Sequence, residues 1–253
     1  MTVTHRWVAG IHAVESALAG GAGQVRRVLA DRERKDARLQ RLLQHAQSDG
    51  IAVERVPERV LAERVPGVRH QGVCAEVQGS GVLDEASLRE RLAALGRPPF
   101  VLVLDGVQDP HNLGACLRSA EAAGADAVVV PRDRAARITP VVERTAAGAA
   151  ALIPVAAVTN LARALEDLKA AGCWIVGAAG DAALSIHDAD LTGGLALVLG
   201  GEEKGLRSRT RDVCDLLVSI PMAGRTESLN VSVAAGVCLF EALRQRRPEP
   251  SSS

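Results

Sequence analysis

Six short runs in this chain are mainly apolar and show no polar alternation at their centres: PFVLVLDG from Pro99, ADAVVVP from Ala125, IPVAAV from Ile153, CWIVGAA from Cys173, LALVLGG from Leu195 and DLLVSIP from Asp215. A strand with one wet face alternates apolar and polar residues; a strand buried on both faces does not. Between the runs lie stretches with helical spacing, from about Asn112 to Ala123, near Val141–Ala150, and LARALEDLKAAG from Leu161. Strands alternating with helices of this kind can bury both strand faces only as a mostly parallel sheet with helices on both sides, an α/β fold. In such sheets ligands sit in a crevice outside the carboxyl ends of the strands. That picks out three loops: DGVQDPHN, LGGEEKG and IPMAGRTESLN.

The first part of the chain follows a different plan. GIHAVESAL reads as a helix and VRRVLA as a strand. Arg34–Ser48 reads as a helix with Leu39, Leu42, Leu43 and Ala46 on one face, IAVERV as a strand, Pro57–Arg64 as a short helix and QGVCAEV as a strand. We read residues 1–78 as a small α/β domain and 79–97 as a linker containing a helix, loosened by Gly79 and Gly81 and stopped by Pro98 and Pro99. Residues 98–247 form the second domain. The tail 248–253, PEPSSS, has the composition of a disordered end.

Composition narrows the function. The formal net charge is zero, so the whole molecule is not drawn to nucleic acid, although residues 1–78 hold 12 Lys/Arg against 9 Asp/Glu. Aromatics are 2% with no Tyr, which argues against a stacking platform for single strands. The five cysteines form no CxxC pair, four of them sit in apolar runs, and no cluster of metal ligands stands out. No run reaches about 18 apolar residues, so a reduced cytoplasmic protein is expected, with no membrane and no metal. Neither GxGxxG after the first strand of the sheet nor GxxxxGK[ST] is present, which disfavours an NAD-type enzyme and a P-loop nucleotide site.

Each loop also has an ordinary structural reading. Asn112 suits the N-cap of the helix after Pro110, and Arg118 could pair with Glu121 on a solvated face. Gly200 and Gly201 suit a strand-to-helix turn. Ser228 and Asn230 are both good caps for the last helix, but a cap accounts for only one of them and for neither Met222 nor Gly224.

Taken together, NLGACLRS from Asn112, LVLGGE from Leu197 and IPMAGRTESLNVSVAA from Ile220 resemble the motifs of the SpoU (TrmH-type) branch of the SPOUT methyltransferases. The three motifs stand in order over residues 98–247, and as a set they are highly specific. GIHAVESAL and HQGVCAEV resemble the small L30-like substrate-binding domain fused to these enzymes. Within the branch, the chain is most similar to bacterial enzymes that methylate a guanosine 2′-oxygen in the P loop of 23S rRNA.

This resemblance implies a C-terminal trefoil knot, a homodimer, and S-adenosylmethionine as cofactor, held largely by backbone groups. It places Leu199, Gly200, Gly201, Ile220, Met222 and Leu229 around the cofactor, and Asn112, Arg118, Glu202, Ser228 and Asn230 in the catalytic site. The family usually has Ala where Gly201 stands, and often Gly where Glu203 stands. A guanidinium is a poor base, so Arg118 is expected to clamp a phosphate and stabilise developing negative charge. Asn112 and Arg118 lie six residues apart, about 240° around a helix, and converge only if Asn112 sits in the cap. RNA is the expected partner, met by the first domain through arginines such as Arg26, Arg27, Arg32 and Arg34. His12 and His70 are expected to be structural. A tRNA ribose methyltransferase of the same branch and a non-catalytic RNA-binding module on the same fold are the alternatives.

Overall fold

The computed structural model describes residues 4–19, 25–79, 82–133, 135–202 and 204–247. The chain divides into two compact units, Met1–Gly81 with Ala147–Leu152, and Val82–Ala146 with Ile153–Ser253.

The first unit is built from β1 (Thr4–Ala9), α1 (Ile11–Ala19), β2 (Val25–Asp31), α2 (Ala37–Ser48), β3 (Ala52–Val56), α3 (Glu58–Arg64) and β4 (Val73–Gly79). Its sheet has the order β1-β4-β2-β3, with β4 antiparallel to both neighbours and β2 parallel to β3. Asp36 caps α2 by accepting from the Leu39 amide at 3.0 Å, which starts the helix in the register that buries Leu39, Leu42, Leu43 and Ala46. Those side chains join Val14, Ala17, Val28, Ala30 and Val73 on one face of the sheet. Leu29, Leu61 and Cys74 pack on the other. The opening strand β1 was not among the elements read from sequence.

The helix expected near 141–150 is broken. Its first part is α6 (Pro140–Thr145) in the second unit, and its last is α7 (Ala149–Leu152) in the first. Ala147 and Gly148 turn through positive φ between them, at 50° and 94°. Ala151 and Leu152 then pack against the apolar core of the first unit.

The second unit adds α4 (Glu85–Ala93), β5 (Phe100–Asp105), α5 (Pro110–Ala122), β6 (Ala127–Pro131), β7 (Val155–Val158), α8 (Leu161–Ala170), β8 (Trp174–Ala178), β9 (Leu184–Ser185), β10 (Leu195–Gly200), α9 (Ser208–Val213), β11 (Leu216–Ser219) and α10 (Val231–Arg246). Its seven strands pair in the order β7-β6-β5-β10-β8-β11-β9, and every pairing is parallel. The unbroken apolar runs are explained by this arrangement, since β5 and β6 are buried along their whole lengths. Helices α4 and α8 bring Leu88, Leu92, Leu165 and Leu168 onto Val101, Val103, Ile175 and Val198. The stretch read as a linker thus carries α4, whose apolar face lies in the core of the second unit. Helices α5 and α10 pack against each other.

From β5 the chain first builds outward through β6 and β7. It then crosses to β8 and returns to set β10 in the gap between β5 and β8. The strand order therefore reverses between β5 and β10, and the crevice at their carboxyl ends is the switch point where ligands bind in doubly wound sheets.

Candidate functional site

Three segments meet at that crevice. The first is the start of α5. Asp109, not Asn112, caps this helix, accepting from the His111 amide at 2.8 Å with Pro110 in the first turn. Asn112 is therefore already on the helical track and is buried. The convergence of Asn112 with Arg118, which required a cap position, does not occur: Arg118 projects from another face of α5 and is exposed. Among the described residues it makes no hydrogen bond or ion pair, and the surface pair with Glu121 is not formed.

Asn112 instead meets the other two segments. Its Nδ2 donates to Glu202 Oε1, which follows the end of β10. Asn230, the N-cap of α10, donates from Nδ2 to Asn112 Oδ1 at 3.1 Å and to Glu202 Oε1 at 3.4 Å. The Asn230 Oδ1 accepts from the Ser232 amide at 2.9 Å and from the Ser232 hydroxyl at 2.6 Å. Asn230 thus caps a 16-residue helix with one end of its amide and closes the cluster with the other. Glu202 Oε1 takes two amide donors. Its Oε2 has no partner among the described residues and is left to accept.

Ser228 lies on the exposed loop before α10 and does not share the cap. In that loop, residues 221–229 make no backbone hydrogen bond among the described residues, and residues 221–228 are exposed. The backbone donors and acceptors of this loop face solvent and are open to a ligand. Beside them, Leu199 is buried, Ile220 and Leu229 are half-buried, and Met222 is 39% exposed. Gly200 ends β10 so close to Gly205 that a side chain would overlap its carbonyl. At Gly201 a Cβ would lie 2.8 Å from the Gly106 carbonyl oxygen, so the glycine allows the loop to lie against the end of β5. Glu203 falls outside the described residues. Open backbone groups between apolar side chains suit a ligand with a flat apolar ring and polar edges, as the adenosine of S-adenosylmethionine has.

A cavity of about 430 Å³ opens beside the cluster, lined by Asp105, Gly106, Gln108, Gly201, Glu202, Lys204, Gly205 and Arg207. Asp105 and Arg207 were not singled out from sequence. The available signal was a lone carboxylate closing the apolar run FVLVLD.

Four of the five cysteines are buried and Cys214 is half-buried, which disfavours their thiolates. Burial pushes Cys74, Cys116 and Cys238 up to about 12, and Cys173 and Cys214 up to about 11. For Cys116, beside the cluster, the Glu202 charge adds to the effect of burial. Among the described residues no group of three or more His, Cys, Asp or Glu could hold a metal ion, and no helix is long and apolar enough to cross a membrane.

In the first unit the arginines expected to face RNA are engaged internally. Arg26 and Arg27 pair with Glu76, Arg27 also with Glu54, Arg32 with Glu33, and Arg34 with Asp36. Arg59, Arg64 and Arg69 are exposed and form no ion pair among the described residues. His70 Nδ1 accepts from the Gly72 amide at 3.2 Å, a structural contact.

Residues 99–240 match the model of the SpoU rRNA Methylase family, and residues 7–81 match that of RNA 2′-O ribose methyltransferase substrate binding. A 23S rRNA (guanosine-2′-O-)-methyltransferase of Pseudomonas putida is 52% identical over 94% of this chain and 96% of its own length. One from Xylella fastidiosa is 50% identical over 97% of this chain and 99% of its own. Among solved structures, the SpoU methyltransferase AviRb from Streptomyces viridochromogenes, in complex with the cofactor AdoMet, superimposes with a TM-score of 0.67. It is 27% identical, and the match covers 95% of this chain and 90% of that one.

Proposed function

The chain belongs to the SpoU rRNA methylase family, and on that basis we propose that it moves a methyl group from S-adenosylmethionine to the 2′-oxygen of a guanosine in 23S rRNA. The observation that carries this reading is the meeting of Asn112, Glu202 and Asn230, from three distant segments, at the switch point of the sheet. Bound S-adenosylmethionine supplies an electrophilic methyl on a sulfonium. The residues fitted to hold it are Leu199, Gly200, Gly201, Ile220, Met222 and Leu229, through open backbone and apolar side chains.

The chain's own part is to orient the acceptor hydroxyl and carry its developing charge. The free Oε2 of Glu202 accepts from the hydroxyl and takes up its proton as the methyl group is transferred, while the amides of Asn112 and Asn230 fix the other oxygen. Ser228, on the adjoining open loop, binds the ribose. Arg118 holds the neighbouring phosphate and stabilises the forming alkoxide.

Arg118 is exposed and makes no hydrogen bond or ion pair to the cluster of its own chain among the described residues. Val233 and Phe240, 52% and 49% exposed, leave apolar surface on α10, with Met222 also exposed on the loop before it. A second copy of the chain covering this surface makes the homodimer and brings in Arg118. The same reading gives the 195–230 segment the trefoil knot of the family, supported by the placing of β10 between β5 and β8, and gives residues 1–78 the L30-like RNA-binding role. The acceptor is the guanosine of the P loop, and the site of action is the cytoplasm.

The test is incubation with methyl-labelled S-adenosylmethionine and unmodified 23S rRNA or tRNA, followed by alkaline digestion. Label in one alkali-resistant guanosine dinucleotide of 23S rRNA is expected. Label only in tRNA would move the substrate, and no label with either RNA would refute the reading.

A further inference from the structure

We infer that Asp105 and Arg207 are positioning residues that hold the Gly200–Arg207 loop, and with it Glu202, closed against the end of β5. The inference rests on the reading of Glu202 as part of the methyl-transfer site.

Asp105 is the last residue of β5, and its side chain is fully buried. A buried carboxylate is costly unless paired and hydrogen-bonded. Among the described residues Asp105 finds all its side-chain partners in one residue, 102 positions later. Its Oδ2 accepts from the Arg207 amide at 3.0 Å, and its Oδ1 accepts from the Arg207 guanidinium. Its carbonyl oxygen accepts from the Gly201 amide, also at 3.0 Å. Both ends of the loop are thus fastened to one residue.

Within the loop the Gly205 amide donates to the Gly201 carbonyl at 3.0 Å, drawing the two sides of the loop together. Glu202 sits one position beyond the fastened Gly201, where a small displacement of the backbone moves its carboxylate away from Asn112 and Asn230. A misplacement on the order of 1 Å costs about a hundredfold in an oriented reaction. The Arg207 side chain is 42% exposed and lines the same cavity as Glu202, Lys204 and Gln108. It can therefore be altered with less damage to the core than Asp105.

The test uses the full chain carrying Arg207→Gln or Arg207→Lys, each made alone and together with Glu202→Gln. Backbone hydrogen exchange, thermal midpoint, S-adenosylmethionine affinity and methyl transfer are measured on each. Arg207→Gln is expected to speed exchange over 201–207 and leave β5 and β10 protected. The same change lowers kcat about tenfold with cofactor affinity within about threefold, and Arg207→Lys recovers part of the loss. In the Glu202→Gln background, Arg207→Gln costs less than about twofold, because the two residues act as one unit. Equal losses in both backgrounds, or unchanged exchange over 201–207, would overturn the proposal. If the unaltered protein transferred no methyl to RNA, the functional reading would fall, and the exchange comparison would still decide the clasp.

Discussion

Replacing Asn230 by Asp separates its two duties. As an N-cap, Asp serves about as well as Asn, so the start of α10 keeps its acceptor for Ser232. The donor end is lost. Asn112 Oδ1 and Glu202 Oε1 lose partners at 3.1 and 3.4 Å, worth about 1 kcal/mol for the neutral bond and about 1.5–3 kcal/mol for the charged one. A second carboxylate placed at such a distance from Glu202 adds a repulsion of about 1 kcal/mol in water, rising to about 5 kcal/mol at an effective dielectric of 20.

Even a part of this, felt at the acceptor hydroxyl, lowers methyl transfer about a hundredfold at pH 8, since each 1.36 kcal/mol is about tenfold. Two neighbouring carboxylates relieve their repulsion by sharing a proton, and the protonated one becomes a donor again. The ratio of Asn230→Asp to unaltered activity should therefore climb as pH falls, by up to about tenfold per unit. Single-turnover transfer to 23S rRNA, measured on both proteins from pH 8 to pH 5, gives that ratio directly. Asn230→Ala has no such proton to gain and should stay low throughout, with about 1 kcal/mol of capping energy lost as well. A ratio that stays flat with pH, or a variant within threefold of the unaltered protein at pH 8, would refute the assignment of Asn230 as a donor in the cluster.

Dimers mixed one to one from Arg118→Ala and Glu202→Gln chains should recover about a quarter of full activity if Arg118 serves the other copy's site, since half the dimers are mixed and each of these has one intact site; no recovery would return Arg118 to its own chain. Gly200→Ala forces a side chain into the Gly205 backbone and should cost about 1–3 kcal/mol, read as a lower thermal midpoint, together with loss of S-adenosylmethionine binding by calorimetry. Glu241 is held down to about 2, first by Arg244, then by Gln245 and His187. A carboxylate depressed on folding stabilises above its unfolded value, and that contribution disappears as pH falls from about 4.5 to about 2. With Arg244 68% exposed, it is worth about 1–2 kcal/mol, so Glu241→Gln should flatten the acid limb of a stability-against-pH curve.

The sheet was legible because burial on both faces writes itself into unbroken apolar runs, and β5, β6, β7, β8, β10 and β11 lie where those runs do. Local signals failed where distant packing decided. AAGAAAL after Thr145 is, apart from Gly148, made of good helix formers, yet the helix breaks at Ala147 and Gly148 and the next four residues pack in another unit. The Asn112 cap was misread although Asp109 followed by Pro110 was the stronger signal. The cluster itself joins residues 90 and 28 positions apart, beyond any periodicity, and was marked in sequence only by the family resemblance. The pairing of Asp105 with Arg207 had no such marker and emerged only from the fold.

The placement of Ala149–Leu152 also has a consequence for how the protein is made. The first unit ends its own strand order by Gly79, but part of its apolar covering lies some seventy residues downstream. At synthesis rates of about 5–20 residues per second, those residues emerge roughly 4–14 s after Gly81. During that interval the nascent domain carries an unfilled apolar site, and its final consolidation waits for the first stretch of the second unit, Val82–Ala146, to be translated.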